Sequence, residues 1–144
     1  MRTHTLLLFI TITWFQIPLQ ADQAALDKLV AQEQGDVDNE SVNVYGGTIG
    51  KLEAIFHIEW AGDAIFGWYY YPSRGRDRRY TIHGHNPEQG VITFQEFTHS
   101  TDGEVAHTAN CRLTKTISST RITWKGQMNN NDGRVLPMQF SRLR

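Results

Sequence analysis

The clearest structural signal in the sequence is a hairpin, Ile65-Phe-Gly-Trp-Tyr-Tyr-Tyr-Pro-Ser-Arg-Gly-Arg-Asp-Arg-Arg-Tyr-Thr-Ile-His-Gly-His85. Aromatic and β-branched residues, which suit a pleated surface, flank a turn that contains Pro72 and Gly75. Successive residues of a strand point to opposite faces, so Trp68, Tyr69 and Tyr70 cannot all face the same side. Some of these rings must therefore lie outside the core.

Similar segments lie on both sides of this hairpin and predict an all-β domain of about eight antiparallel strands. We place the strands at 42–50, 52–60, 65–71, 79–85, 91–97, 104–113, 120–126 and 135–143. Short loops connect them, and no helical pattern lies between them. Closing such a meander removes its exposed edges, which favours a small up-and-down barrel of the lipocalin or streptavidin type over a β-sandwich.

The length and charge of the chain are typical of one globular domain. The chain has 144 residues, 14 Lys and Arg, and 15 Asp and Glu, for a formal charge of −1. That balance offers no broad basic surface and predicts no nucleic-acid binding. Residues 1–21 read as a signal peptide, because Arg2 precedes the apolar run Leu6–Ile17 and Ala21 follows at a cleavage site. We expect a periplasmic or secreted protein with no membrane span after cleavage.

Residues 22–41 are polar and leave two alternatives. Ala25, Leu26, Leu29 and Val30 have helical spacing, so residues 23–34 predict a short amphipathic helix that ends at Gly35 and packs across an open end of the barrel. The acidic run from Glu33 to Glu40 is equally typical of a flexible leader. Residues 42–144 form the expected barrel domain.

The sequence contains no signature of catalysis or of a resident metal. Cys111 is the single cysteine and is most simply a small apolar strand residue. His83 and His85 share one strand face, but two histidines alone are a weak metal site. No nucleophile elbow, zinc-protease helix or phosphate loop occurs. We therefore predict a protein that is not an enzyme and has no cofactor.

Several motifs along the domain resemble an uncharacterised family of small bacterial secreted or periplasmic β-domains. These are Gly47-Thr-Ile-Gly50, Gly67-Trp-Tyr-Tyr-Tyr71, Tyr80-x-Ile82-x-Gly84, Ile122-x-Trp124 and Pro137-x-x-Phe140, and the resemblance covers residues 45–142. They are packing and turn motifs, so the resemblance implies a fold and a compartment but no activity. The segment between Gly75 and Tyr80 is longer than in that family and rich in arginine.

This arginine-rich tip is the first candidate functional feature. Arg74, Arg76, Arg78 and Arg79 are opposed only by Asp77. Guanidinium groups bind carboxylates in a fixed bidentate geometry. Our leading hypothesis is an exported inhibitor or immunity-type factor that uses these arginines against an acidic face of an exported or envelope protein. A solvated turn that protects strand edges is the alternative.

Two aromatic residues beside the tip, Trp68 and Tyr70, complete the predicted partner-binding surface. The second functional hypothesis is a carrier of a small apolar or sugar-like ligand inside the barrel. Tyr69, Tyr71, Trp60 and Trp124 are the predicted ligand-binding residues, with tyrosine hydroxyls fixing the ligand's orientation. A barrel this small would otherwise fill its interior with these rings.

Overall fold

The computed structural model describes residues 20–144, so the predicted signal peptide lies almost wholly outside the described residues. It contains the helix α1 (Gln20–Gly35) and eight strands. The strands are β1 (Val42–Ile49), β2 (Leu52–Ala61), β3 (Ala64–Tyr70), β4 (Tyr80–Glu88), β5 (Val91–His99), β6 (Val105–Ile117), β7 (Arg121–Asn130) and β8 (Val135–Leu143). Among these residues, no helix is long and apolar enough to cross a membrane.

The strands form a closed barrel in sequence order, which confirms the predicted all-β barrel and excludes the sandwich. Each strand pairs with the next in antiparallel fashion, and β1 pairs with β8 to complete the ring. The β3–β4 hairpin has Gly67 opposite Ile82 and Trp68 opposite Thr81. This register places Tyr69 and Tyr71 inside the barrel and leaves Trp68 and Tyr70 on its outer wall.

Glycines occur where neighbouring strands approach too closely for a side chain. A Cβ atom on Gly67 would lie 2.1 Å from the carbonyl oxygen of His57, and one on Gly84 would lie 2.0 Å from that of Thr93. Gly126 and Gly47 meet the same obstacle, so all four positions require glycine for steric reasons. They allow the sheet to bend tightly around a narrow interior.

The middle of the barrel is packed solid. Phe56, Phe140 and Met138 are at most 1% exposed, and the Phe56 and Phe140 ring centroids are 4.6 Å apart. Side chains therefore close the interior at mid-height. One cavity lies at each end of the barrel, on either side of these packed side chains.

The helix packs on the outside of the barrel, which corrects the prediction that it covers an open end. Leu26 and Val30 are 7% exposed and form a second apolar cluster with Val44, Ile55 and Tyr70. Gly46 makes this contact possible, since a Cβ there would lie 2.7 Å from the Leu26 Cγ atom. The polar leader is thus a docked helix because the outer wall offers it an apolar surface.

The helix also supplies hydrogen bonds to β1 where β1 and β8 close the barrel. β1 and β8 pair only from Gly46 to Ile49 of β1, so the first half of β1 has no partner in β8. The Gln34 side chain takes that place: its Oε1 accepts from the Val44 N–H at 2.8 Å and its Nε2 donates to the Val42 carbonyl at 3.1 Å. These bonds satisfy backbone groups that would otherwise be left unpaired under the helix.

Candidate functional site

The first cavity opens at the end where the β1–β2, β3–β4, β5–β6 and β7–β8 loops lie, and we call it the tyrosine mouth. It has a volume of about 440 Å³, within the range of small-molecule sites. Three tyrosines and a buried carboxylate line it together with threonine, asparagine and apolar side chains. These residues include Tyr69, Tyr71, Tyr80, Glu96, Thr98, Thr108, Asn130, Leu52 and Leu136.

Glu96 is the most unusual residue of the tyrosine mouth. It points inward from β5 and is 4% exposed. The Tyr69 hydroxyl donates to its Oε2 atom, and the Thr108 hydroxyl donates to Oε1 at 2.6 Å. No lysine, arginine or histidine among residues 20–144 forms an ion pair with it. Among the described residues, the Glu96 carboxylate thus receives hydrogen bonds from neutral hydroxyl groups only. Additional hydrogen-bond donors from a ligand would stabilise a carboxylate buried in such an apolar interior.

The three tyrosines form a compact aromatic wall beside Glu96. Tyr69 and Tyr80 stack with their ring centroids 4.9 Å apart, and Tyr71 meets each of them edge-on at 5.5 Å. Burial and the adjacent Glu96 carboxylate raise the pKa of the Tyr69 phenol far above its ordinary value. Tyr69 therefore remains protonated and donates its hydrogen bond to Glu96 across the physiological pH range.

The rim of this mouth carries both charges. The Arg74 guanidinium carbon lies 5.0 Å from the centre of the Tyr71 ring, which is cation–π distance. On the facing β7–β8 loop, Arg134 Nε donates to Asp132 at 2.8 Å. Asn131 donates to the His107 carbonyl at 2.7 Å and ties this loop to β6. The rim is thus polar and held in place by hydrogen bonds, and the deeper part of the cavity is aromatic and partly apolar.

The second cavity lies at the opposite end, and we call it the tryptophan mouth. It has a volume of about 520 Å³ and is lined by Trp60, Trp124, Tyr45, Lys115 and Arg142, among others. The prediction placed Trp60, Trp124, Tyr69 and Tyr71 around one ligand. The packed middle of the barrel instead separates the two tryptophans from the two tyrosines, so they belong to different sites.

The arginine-rich tip is exposed, but it folds back towards the barrel wall. Arg74, Arg76, Arg78 and Arg79 all have exposed side chains. The Arg79 guanidinium carbon lies 3.8 Å from the centre of the Trp68 ring, and that of Arg76 lies 5.9 Å from it. The tip therefore lies against half-buried Trp68 and does not project as a separate finger.

A buried polar cluster beneath helix α1 explains this conformation. Glu33 is 4% exposed and lies 2.6 Å from His57 Nε2, and it also accepts from the Tyr70 hydroxyl. Arg76 comes within 3.9 Å of the same carboxylate, and His57 stacks on Trp68 at 4.0 Å. Tyr70 is only 4% exposed, so it cannot contact a partner while the helix is docked.

Burial sets the protonation of two members of this cluster. It lowers the pKa of His57, an effect that Glu33 opposes, and it raises the pKa of Tyr70 with help from Glu33. A neutral His57 donates Nε2–H to Glu33 and Tyr70 donates its hydroxyl. Two hydrogen bonds to the Glu33 carboxylate, from His57 and Tyr70, therefore hold the helix against the barrel wall.

The histidines and the cysteine considered in the sequence analysis do not come together in one site. His83 and His85 lie exposed on the outer face of β4, as the strand alternation predicts. Cys111 is buried inside the barrel, and burial raises the pKa of its thiol. No group of three or more histidine, cysteine or carboxylate side chains with metal-binding geometry occurs within residues 20–144.

Comparison with known proteins adds no relative from which a site could be transferred. No protein-family model, curated protein or solved structure matches the chain.

The site residues that sequence reasoning missed are Glu96, Thr108, Glu33, Arg142 and Lys115. Glu96 did carry a signal, because it follows the apolar residues Ile92 and Phe94 at two-residue spacing on the inward side of a strand pattern.

Proposed function

We propose that the protein is a non-catalytic binding module that holds a small sugar-like ligand in the tyrosine mouth. Glu96 supports this function most strongly. A buried carboxylate without a cationic partner forms strong hydrogen bonds with hydroxyl donors, and a sugar presents several of them on neighbouring carbons. The Tyr71 and Tyr80 rings add flat apolar faces against which a sugar ring can lie.

The rest of the tyrosine mouth fits the same ligand. Thr98 and Asn130 bring further hydroxyl and amide groups to the cavity, while Leu52 and Leu136 supply apolar contact. Such a mixture of a few polar groups on an apolar wall is typical of small-molecule sites. The apolar segment at residues 6–17 supports an exported protein, which would meet its ligand outside the cytoplasm.

Binding can be tested by titrating the ¹⁵N-labelled protein with a panel of neutral mono- and disaccharides. We expect at least one sugar to shift amide resonances around Glu96, Tyr71 and Asn130. Glu96→Gln keeps the shape and the Tyr69 acceptor but removes the charge, so affinity should fall about tenfold or more. Glu104→Gln, the same change on an exposed loop, should have no effect.

Two results would contradict the proposal. One is an absence of saccharide binding, and the other is equal affinity in the wild type and Glu96→Gln. Spectra of the sugar taken before and after long incubation also test the non-catalytic part, because cleavage or isomerisation would produce new sugar resonances.

The exposed arginine tip favours a second candidate function, inhibition of an exported or envelope protein that has an acidic face. Four arginines and a single aspartate, Asp77, lie within six residues, and the Arg76 and Arg79 stacks on Trp68 hold two guanidinium groups in place. Ordered arginines lose less conformational entropy when they bind carboxylates.

Affinity capture of exported proteins on the immobilised chain tests this second function. The variant with Arg74, Arg76, Arg78 and Arg79 replaced by alanine should lose a partner that the wild type retains. A control with the exposed cations Lys51, Arg112 and Lys125 replaced by alanine should retain it. Equal retention by the wild type and the four-arginine variant would refute the inhibitor mechanism.

A further inference from the structure

The tryptophan mouth differs from the tyrosine mouth in its charge, because the tyrosine mouth is lined by both arginines and carboxylates. Two cationic side chains, Arg142 and Lys115, line the tryptophan mouth, and no aspartate or glutamate of residues 20–144 does. The amides of Asn43, Asn86 and Gln89 supply its other polar groups. A cavity of this kind presents a positive potential that a bound anion would neutralise.

Arg142 is the central cation of this cavity. It points inward from β8 and is half-buried, and its Nη1 donates to the Asn43 side chain. Its Nε atom is buried and has no hydrogen-bond acceptor, and no carboxylate within residues 20–144 forms an ion pair with it. A guanidinium group in this position has donors to spare for a planar carboxylate.

The walls of the cavity are flat aromatic rings. Trp60 and Trp124 stack with centroids 5.6 Å apart and planes inclined by 26°. Tyr45 lies 5.8 Å from the Arg142 guanidinium carbon, and Lys115 Nζ lies 5.6 Å from the Trp124 ring. Planar ligands gain from such rings by offset stacking, which an inorganic anion such as phosphate cannot do because it has no ring.

From this combination we infer that the tryptophan mouth binds a small aromatic carboxylate, with the carboxylate on Arg142 and Lys115 and the ring against Trp60 and Trp124. This site is independent of the sugar-like ligand proposed for the opposite end, because the packed barrel core separates the two. The protein would accordingly have two ligand sites, one for a neutral ligand and one for an anionic ligand.

Benzoate is the probe that tests this inference, with benzyl alcohol as a neutral analogue of the same shape and inorganic phosphate as an anion without a ring. Tryptophan fluorescence reports binding directly, since two of the protein's four tryptophans line the cavity. We expect saturable quenching by benzoate and at least tenfold weaker binding of benzyl alcohol and of phosphate.

Two variants locate the site. Arg142→Met keeps the aliphatic stem, and Lys115→Met changes an exposed residue. Each should weaken benzoate binding about tenfold. Arg112→Met, on the outer face of the neighbouring part of β6, is the matched control and should bind as the wild type does. Circular dichroism verifies that each variant is folded.

Glu96→Gln separates this inference from the proposed function. It should bind benzoate with unchanged affinity, even if it has lost the sugar-like ligand. The inference is wrong if benzoate and benzyl alcohol bind equally, if phosphate competes as well as benzoate does, or if both methionine variants retain wild-type affinity.

Discussion

Replacing Leu26 by alanine tests whether helix α1 is part of the folded unit or a flexible leader. Leu26 is 7% exposed and packs on the barrel wall at Gly46. The substitution removes three carbon atoms, each worth about 0.8 kcal/mol when buried, so the loss is about 2.4 kcal/mol. A residual cavity would add to it, and core Leu→Ala changes cost about 2 to 5 kcal/mol.

Urea denaturation followed by circular dichroism measures this loss. With a dependence of about 2 kcal/mol per molar urea, the unfolding midpoint should fall by about 1.2 M. Lys28→Ala lies on the exposed side of the same helix and should change the free energy of unfolding by less than about 0.5 kcal/mol. Trypsin should also cut at Lys28 faster in Leu26→Ala than in the wild type, because an undocked helix exposes its backbone.

Equal shifts of the unfolding midpoint in Leu26→Ala and Lys28→Ala would refute the docking of the helix. That outcome would mean that the helix does not pack on β1 in solution. Tyr70 and His57 would then be uncovered, and the partner-binding surface predicted from the sequence would regain a residue that the docked helix buries.

Three further predictions concern the barrel wall and its interior. Gly67→Ala places a Cβ 2.1 Å from the His57 carbonyl oxygen and should cost about 1 to 3 kcal/mol or more in urea titrations, whereas Gly35→Ala, with no atom nearby, should be nearly neutral. Burial lowers the pKa of His57 even though Glu33 opposes this effect, so the unfolded chain binds a proton at His57 more readily than the folded chain does. The free energy of unfolding should therefore fall as the pH drops below about 6.5. His57→Gln should abolish this pH dependence. Burial raises the pKa of the Cys111 thiol, so iodoacetamide at pH 8 should label it only after denaturation; rapid labelling of the native protein would contradict its inward orientation.

The positions of the aromatic residues show how far sequence reasoning reaches into the candidate site. Alternation along β3 required that some of the residues Trp68 to Tyr71 face outward, but it left the register open. The register of Gly67 opposite Ile82 decides the matter, and it assigns Tyr69 to the interior and Tyr70 to the outer wall. Register is a property of the pairing between strands, so no single strand reveals it.

The carboxylates were harder to predict, for a physical reason. Glu33 stood in an acidic run typical of a solvated leader, and Glu96 stood on a strand where carboxylates are common. Both are 4% exposed in the structure, because hydroxyl and imidazole donors from distant strands satisfy them. Tyr69 lies 27 residues from Glu96 and His57 lies 24 residues from Glu33, so local sequence carries no sign of either contact.

The sequence by itself determined the eight strands, their antiparallel order and the closure of the sheet. Alternating hydrophobicity and turn residues are local properties, and a meander with short loops has few ways to remove its edges. Only the tertiary structure decided that the helix lies on the outer wall, that Arg76 and Arg79 lie over the Trp68 ring, and that the interior divides into two mouths. These outcomes depend on how side chains far apart in sequence fill the same space, and packing of that kind is settled only when the barrel closes.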